Sequence, residues 1–496
     1  MSIRFTAVKD PHRPRSPRLP WIALLPLSAL ASCLTIADPD DDLAERQLAP
    51  PEQFAAAGHN APRPHEAVAN DWVATFADAT LRELVDEAIE HNPDLRQAAA
   101  ALAEARARTD VAASSLYPQF DGAGAARRAQ PLFLAPGAVA PGSQYTVNVE
   151  ASWEIDLWGR IRSQAAAASA AAEATRLDLA AARQSLAAAV ADAWLLTLQA
   201  HAALRIDREL LAAEQRTAGV TNDKVETGTG TQLEAQLAAA NVALAAAALH
   251  ADEAAIKELT RALEALLGRY PSAELKLVTE LPAFPGATAI GVPSELLARR
   301  PDLVAADQRV AAAFHRSQSA RAAQLPSLTL TGSVGALLDP TTKLWSIGAN
   351  LLAPLFTGGR IDAEIEIADA QQEQALAAYV ATALQAFREV EDALANEHYL
   401  ARREAELDTA TRRLREASRV GEDRYDAGIL SIVDLLTIRR QDFQSRRELL
   451  LVHTARLRQR IALHLALGGS FDADDARATP ASVAADHDVN ETERHD

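Results

Sequence analysis

The sequence predicts a mixed α/β, mostly helical membrane protein with an internal duplication, in which long antiparallel helices carry four β-strands per chain that complete a barrel only with strands from other copies. Three observations carry this prediction. Short motifs recur in the same order at fixed offsets, two stretches of about 65 residues each read as a single helix, and one run alternates apolar and polar residues over the width of a membrane.

Composition narrows the classes first. The 496 residues hold 49 Lys+Arg against 67 Asp+Glu, a formal charge of −18, with one Cys and one Met. That balance argues against nucleic acid as a partner, since neutralising phosphates needs a basic footprint. The lone Cys excludes a disulfide framework and any zinc or iron–sulfur site built from cysteines. After the N-terminal segment no run reaches the ~18 uninterrupted apolar residues of a spanning helix.

The first element is a secretion signal. Arg4, Lys9, Arg13, Arg15 and Arg18 stand against Asp10, and the apolar stretch Leu19 to Ala31 follows, too short to be an anchor helix. Leu30-Ala31-Ser32-Cys33 resembles the bacterial lipoprotein box. Residues 1–32 are therefore expected to be removed and Cys33 to carry a diacylglyceryl thioether and an N-acyl chain such as palmitate, enough for stable anchoring. Leu34 stands where an Asp would hold a lipoprotein at the inner membrane, which points to the outer membrane.

Residues 33–92 are expected to form an N-terminal anchor and an equatorial segment. The duplication follows. Asn92-Pro93-Asp94-Leu95 returns as Arg300-Pro301-Asp302-Leu303, and Tyr117-Pro118-Gln119-Phe120 as Leu325-Pro326-Ser327-Leu328, both 208 residues on. Trp158-Gly159-Arg160-Ile161 returns as Gly358-Gly359-Arg360-Ile361, Gly228 as Gly428, and Leu266-Leu267-Gly268 as Ala466-Leu467-Gly468, all 200 residues on. Five matches in one order define two homologous halves, 93–268 and 301–468, joined by an equatorial linker at 269–300. From Ser470 eight acids stand against two Arg, so 469–496 reads as an acidic disordered tail.

Each half orders its elements as helix, strand, strand, very long helix, turn, helix. The strand-to-helix turns fall at Gly159-Arg160 and Gly359-Arg360, and the long helices at 163–227 and 361–427. Gly228 and Gly428 end them, and Thr231-x-x-Glu234 and Ser431-x-x-Asp434 read as capping boxes opening the returning helices. From Gln144 to Leu157 every second residue is apolar, from Tyr145 through Trp153 to Leu157, with polar residues between. Leu328, Leu330, Val334 and Ala336, then Trp345, Ile347, Ala349 and Leu351, continue the pattern in the second half. Four strands cannot close a barrel, and an open edge in lipid leaves backbone groups unpaired, so other copies must close it. Two protomers give eight strands and three give twelve, and counting strands does not choose between them.

The whole mature chain resembles the outer membrane efflux proteins of the TolC/OprM type, in particular their NodT-like lipoprotein branch. The resemblance rests on Asp71-Trp72, Phe76, Asp78 and Leu81 ahead of Asn92-Pro93-Asp94-Leu95, on Arg300-Pro301-Asp302-Leu303, on Phe356-Thr357-Gly358-Gly359-Arg360, and on Arg424-Tyr425, Gly428 and Ser431. It implies a homotrimer with a twelve-stranded outer membrane barrel that continues into a periplasmic helical tunnel. It further implies passive conduction of small-molecule cargo, as the exit duct of a tripartite pump with a periplasmic adaptor and an energised inner membrane transporter of the RND type. The turn Gly428 to Arg440 is, by position, the candidate aperture. OprM-like members commonly carry an Asp where this chain has Thr437, and Asp434 one helical turn nearer the tip is the alternative, with Arg439 or Arg440 as partners. Glu234 and Asp434 also have a simpler role as helix-cap acids.

No catalytic constellation stands out: there is no His-Glu-x-x-His spacing, no Gly-x-Ser-x-Gly elbow and no phosphate loop, so neither an enzyme nor a metal or other cofactor is expected. The competing reading is a non-conducting lipoprotein stalk that bridges the envelope, for which two hairpins with apolar faces would have no use.

Overall fold

The computed structural model describes residues 50–57, 70–129, 142–277, 280–286, 288–338 and 341–471. Contacts divide the chain at Ala37; Met1–Ala37 lies outside the described residues, and everything below concerns the unit Asp38–Asp496. The expected signal, Cys33 and residues 472–496 of the expected tail lie outside the described residues, but the tail's expected first residues are packed: Ser470 accepts from the Asp71 N–H at 2.7 Å and Phe471 is buried in the apolar core.

The two halves repeat element for element. Helix α1 spans Ala79–His91 and leads into the first half: α2 (Pro93–Ser114), β1 (Gln119–Ala129), β2 (Gly142–Ile155), α3 (Arg160–Glu226) and α4 (Gln232–Leu266). A short α5 (Pro293–Arg299) precedes the second: α6 (Pro301–Ala322), β3 (Ser327–Leu338), β4 (Thr341–Leu352), α7 (Arg360–Asp426) and α8 (Ile432–Ala466). The paired helices have equal lengths, 22, 67 and 35 residues. Helices α1 and α5 sit inside segments that the sequence reading treats as anchor and linker; both are short and lack the long alanine-rich pattern that marks the others.

Local chemistry explains the boundaries. The side chain of Asn92 accepts from the backbone N–H groups of Asp94 and Leu95 at 2.9 and 3.2 Å, with Pro93 in the first turn of α2. Its counterpart Arg300 cannot cap α6 and instead forms ion pairs with Asp302 and with Glu389 of α7, each at 2.7 Å. Gly159 and Gly359 precede the long helices at φ 76° and 83°, a region that favours glycine. Arg160 is fixed by Glu154 at 2.8 Å, and Arg360 by Glu364 at 2.7 Å.

The helices form one layer in which α3 packs against α2 and α4 on one side and α6 and α8 on the other, while α7 packs against α6 and α8. Alanine makes the close approach possible; Ala187, Ala191, Ala383 and Ala386 are completely buried. Across the middle of α3 lies an apolar core that joins Trp72, Phe76, Leu81, Leu84 and Val85 to Trp194, Leu195 and Leu198. The linker is pinned there. Glu264 accepts from the backbone N–H groups of Ala273, Glu274 and Leu275 at 2.7 to 3.0 Å, and the Arg456 guanidinium stacks 3.7 Å from the ring centre of Phe284.

Helices α3 and α4 are long and apolar enough to cross a membrane by length and composition, which a search for uninterrupted apolar runs does not detect. In α4 that apolar surface is exposed, with Leu233 70% and Leu244 68% accessible.

Candidate functional site

The strands form one antiparallel sheet in the order β1-β2-β3-β4. Residues directly opposite share a face. Val149 pairs with Gly122 and Val334, Trp153 with Leu330, and Val334 in turn with Trp345. The register therefore gathers Tyr145, Val147, Val149, Trp153, Trp345 and Ile347 on one face, where all are exposed. The other face carries Thr146, Asn148, Glu150, Thr331 and Ser346. Among the described residues, the outer edges of β1 and β4 pair with no strand. An amphipathic sheet of 11 to 14 residues per strand with two open edges has the strand length and patterning of a barrel segment of membrane height.

Helices α3 and α7 each run 67 residues, about 100 Å, from that sheet to a tight turn. The turns are alike. Gly228 and Gly428 adopt φ 77° and 73°, and the N–H groups of Thr229 and Ile429 donate to the carbonyls of Lys224 and Arg424. The caps that follow differ. Glu234 and Thr231 make a reciprocal capping box, which holds the Glu234 carboxyl below its ordinary range. Ser431 donates to Asp434 at 2.7 Å and accepts from its N–H at 3.1 Å, but the bond back to the Ser431 backbone is missing. Aspartate is one methylene shorter than glutamate, so the second turn is not the full box the sequence reading expects.

Of the expected aperture residues, Asp434 is exposed at the turn and Thr437 donates to the carbonyl of Val433 at 2.8 Å. Arg440 is exposed and forms no ion pair with a described residue. Arg439 does not join Asp434. It is buried, 2% accessible, and donates to Thr217 Oγ1 and the Ala213 carbonyl of α3 while pairing with Glu422 at 2.8 Å and Glu214 at 3.5 Å. Five residues along a helix rotate a side chain by about 140°, so Asp434 and Arg439 face different neighbours.

Sequence reasoning missed the contacts that bind α7 and α8 to α3 and α4. Arg447 lies between Asp207 and Asp252 at 2.5 and 3.1 Å, and Arg446 pairs with Glu209. Nearer the turn, Thr221 Oγ1 and the Tyr425 hydroxyl are 2.8 Å apart, with Lys224 Nζ 3.7 Å from the Tyr425 ring centre. A signal was available: Asp207 and Glu214 are seven residues apart on α3, and their partners Arg447 and Arg439 are eight apart on α8, spacings of about two turns that align opposite charges on facing stripes. Burial raises the carboxyl pKa of Glu214 against the pull of Arg439, and of Asp207 against that of Arg447. Asp442 is raised by burial too, and its Oδ1 has no hydrogen-bond partner among the described residues. Among the described residues no cluster of His, Cys, Asp or Glu could hold a metal ion.

Comparison with known proteins supplies the context. Residues 84–269 and 292–469 match the family described as outer membrane efflux protein. The chain is 33% identical to the pyoverdine export outer membrane protein OpmQ of Pseudomonas putida, over 91% of this chain and 98% of that protein. It is 28% identical to the cation efflux system protein CusC of Escherichia coli, over 90% of this chain and 99% of that protein. The structure is similar to the outer-membrane channel OprN, with a TM-score of 0.79 at 27% identity over 88% of this chain and 98% of that one.

Proposed function

The chain belongs to the outer membrane efflux protein family, and on that premise we propose how its two halves, its anchor and its helix turns serve conduction. It is the outer membrane channel of a tripartite efflux system and works with an adaptor and an inner membrane pump. The observation that carries the finer reading is the sheet. One apolar face and two unpaired edges are closed without loss by copies of the same four strands, and three chains close twelve strands around a bore. The helix layer has matching open sides, α2 and α4 at one end of its order and α7 at the other.

In this homotrimer, residues 93–268 and 301–468 build the wall as two repeats. Residues 33–92 and 269–300 form the outer belt, and Cys33 carries the acyl chains that hold the N-terminus in the outer membrane. The helix turns at Gly228 and Gly428 form the periplasmic aperture. Asp434 lines it, and Arg439 acts behind it by holding α8 against α3. The inner membrane partner is of the RND type. Relatives are named for pyoverdine, toluene and cations, so the energised partner, more than the shared wall, sets what is exported.

The test is direct. Purified protein should migrate as a heat-modifiable oligomer on gels and conduct ions in planar bilayers. In-cell crosslinking should recover an adaptor and a transporter with it. A non-conducting, heat-insensitive monomer would instead support the stalk reading. For the anchor, mass spectrometry of the mature N-terminus should find acyl chains on wild type and none on Cys33→Ser.

A further inference from the structure

About three to four turns along α3 from the sheet, α6 lies between the two long helices and leaves a cleft of about 750 Å³. Its floor is alanine: Ala174, Ala312 and Ala313 are at most 3% accessible. Its polar groups are Arg309, Arg316, Gln371, Gln374 and Thr175, with no acid among the lining residues of a chain whose formal charge is −18. The Thr175 hydroxyl donates to the Ala171 carbonyl at 2.9 Å, and Arg309 donates to Asp178 at 2.5 Å. Arg316 pairs with no carboxylate of a described residue.

The internal repeat shows what changed here. At the 208-residue offset that aligns α2 with α6, Arg316 corresponds to Arg108 and Ala312 to Glu104. In the first half Glu104 neutralises Arg108 at 2.5 Å, one helical turn away. In the second half the acid is replaced by a buried alanine, so Arg316 loses its internal partner while the cleft gains volume. Arg309 corresponds to Ala101, a second charge present only in this half.

The cleft also has a defined side. Its residues on α7, Gln371, Gln374 and Ala375, are the 200-residue counterparts of Ala171, Ala174 and Thr175 on α3, so both long helices turn the same face to it. At 100° per residue, Trp194 and Leu198 lie about half a turn round α3 from that face, and they are covered by Trp72 and α1. Glu391, about half a turn round α7, accepts the N–H groups of Ala55 and Ala56. A belt that covers one face of a conducting wall lies outside it, which leaves the cleft on the bore side.

We propose that this cleft is a subsite on the duct wall for small organic anions, one per protomer, in which Arg316 takes a carboxylate as a charge-assisted pair. Gln371 and Gln374 donate amide hydrogen bonds, Arg309 stays neutralised by Asp178 at the rim, and the alanine floor receives a flat apolar body. The assignment rests on the duct reading for its place in transport and on the repeat comparison for its chemistry.

The test uses full-length acylated protein in lipid nanodiscs, with empty discs as background. Calorimetric titration with benzoate should show saturable binding, and the neutral isostere benzamide and cationic benzylammonium should show none. Arg316→Gln, an exposed position, should weaken benzoate at least about tenfold. Ala312→Glu, which restores the ion pair of the first half, should do the same; if it fails to fold, Arg316→Gln decides alone. Absent saturable benzoate binding, equal binding of benzamide, or wild-type affinity in Arg316→Gln overturns the proposal. Conductance of the wild-type protein in KCl is measured separately, so failure to conduct sinks the duct reading while calorimetry still judges the cleft.

Discussion

Arg439 illustrates how one residue ties the proposed aperture to the wall. It is buried against Glu214, Thr217 and a carbonyl, with the partly exposed Glu422 at the outer side, so removing it leaves Glu214 buried beside no cation. Truncation of one partner of such a pair costs about 3–5 kcal/mol. Arg439→Ala should lower the melting temperature of the purified protein, and Arg439→Leu combined with Glu214→Leu should recover much of the loss; an Arg439→Ala protein that melts like wild type would refute the assignment. The raised carboxyls give a pH dependence with a definite sign. Glu214, Asp207 and Asp442 hold protons more tightly in the folded protein than in the unfolded chain. Packing of α8 on α3 therefore gains stability as pH falls from neutral through their raised values, until the ordinary values of 4.5 and 3.8 are reached. Glu264 acts oppositely: burial works against its charge, but the backbone N–H groups around it hold its pKa below 4.5, so its contribution is lost only as pH falls through that lowered value. A rise in melting temperature between pH 7 and 5 that is smaller in Glu214→Gln checks the sign. No change in wild type would contradict it.

Among the elements, the strands are the most constrained. A Cβ on Gly335 would sit 2.5 Å from the Val147 carbonyl oxygen, a backbone atom of the neighbouring strand, while a Cβ on Gly122 meets nothing within 4 Å. Gly335→Ala should therefore disturb the β2–β3 ladder and reduce the heat-modifiable oligomer, whereas Gly122→Ala should leave it intact. Gel migration before and after boiling reads both. The strands were also legible in sequence, because a period of two survives whatever covers the face. Helix ends were legible for a similar reason: Asn92, Thr231, Gly228 and Gly428 act on backbone groups a few residues away. Where the chemistry of an end depends on another helix, as at Arg300 and Glu389, sequence periodicity gave no warning.

For the whole molecule, the exposed apolar stripe of α4 is the main prediction, since Leu233 and Leu244 are largely exposed among the described residues. In the proposed trimer this stripe meets the neighbouring protomer, so Leu244→Glu should shift purified protein from trimer toward monomer by light scattering while leaving its helical content unchanged; an undisturbed trimer would place the stripe elsewhere. The order of the repeated elements and the strands with their period of two are local or periodic in the chain, and the sequence alone determined them. Tertiary structure alone decided which charges meet. It took Arg439 away from Asp434 and gave it to Glu214, placed Arg447 between Asp207 and Asp252, and left Arg316 unpaired beside an alanine-floored cleft. The physical reason is that an ion pair between helices depends on which faces pack together, and facing residues here lie up to 266 positions apart, as for Asp192 and Arg458, beyond the reach of any periodicity.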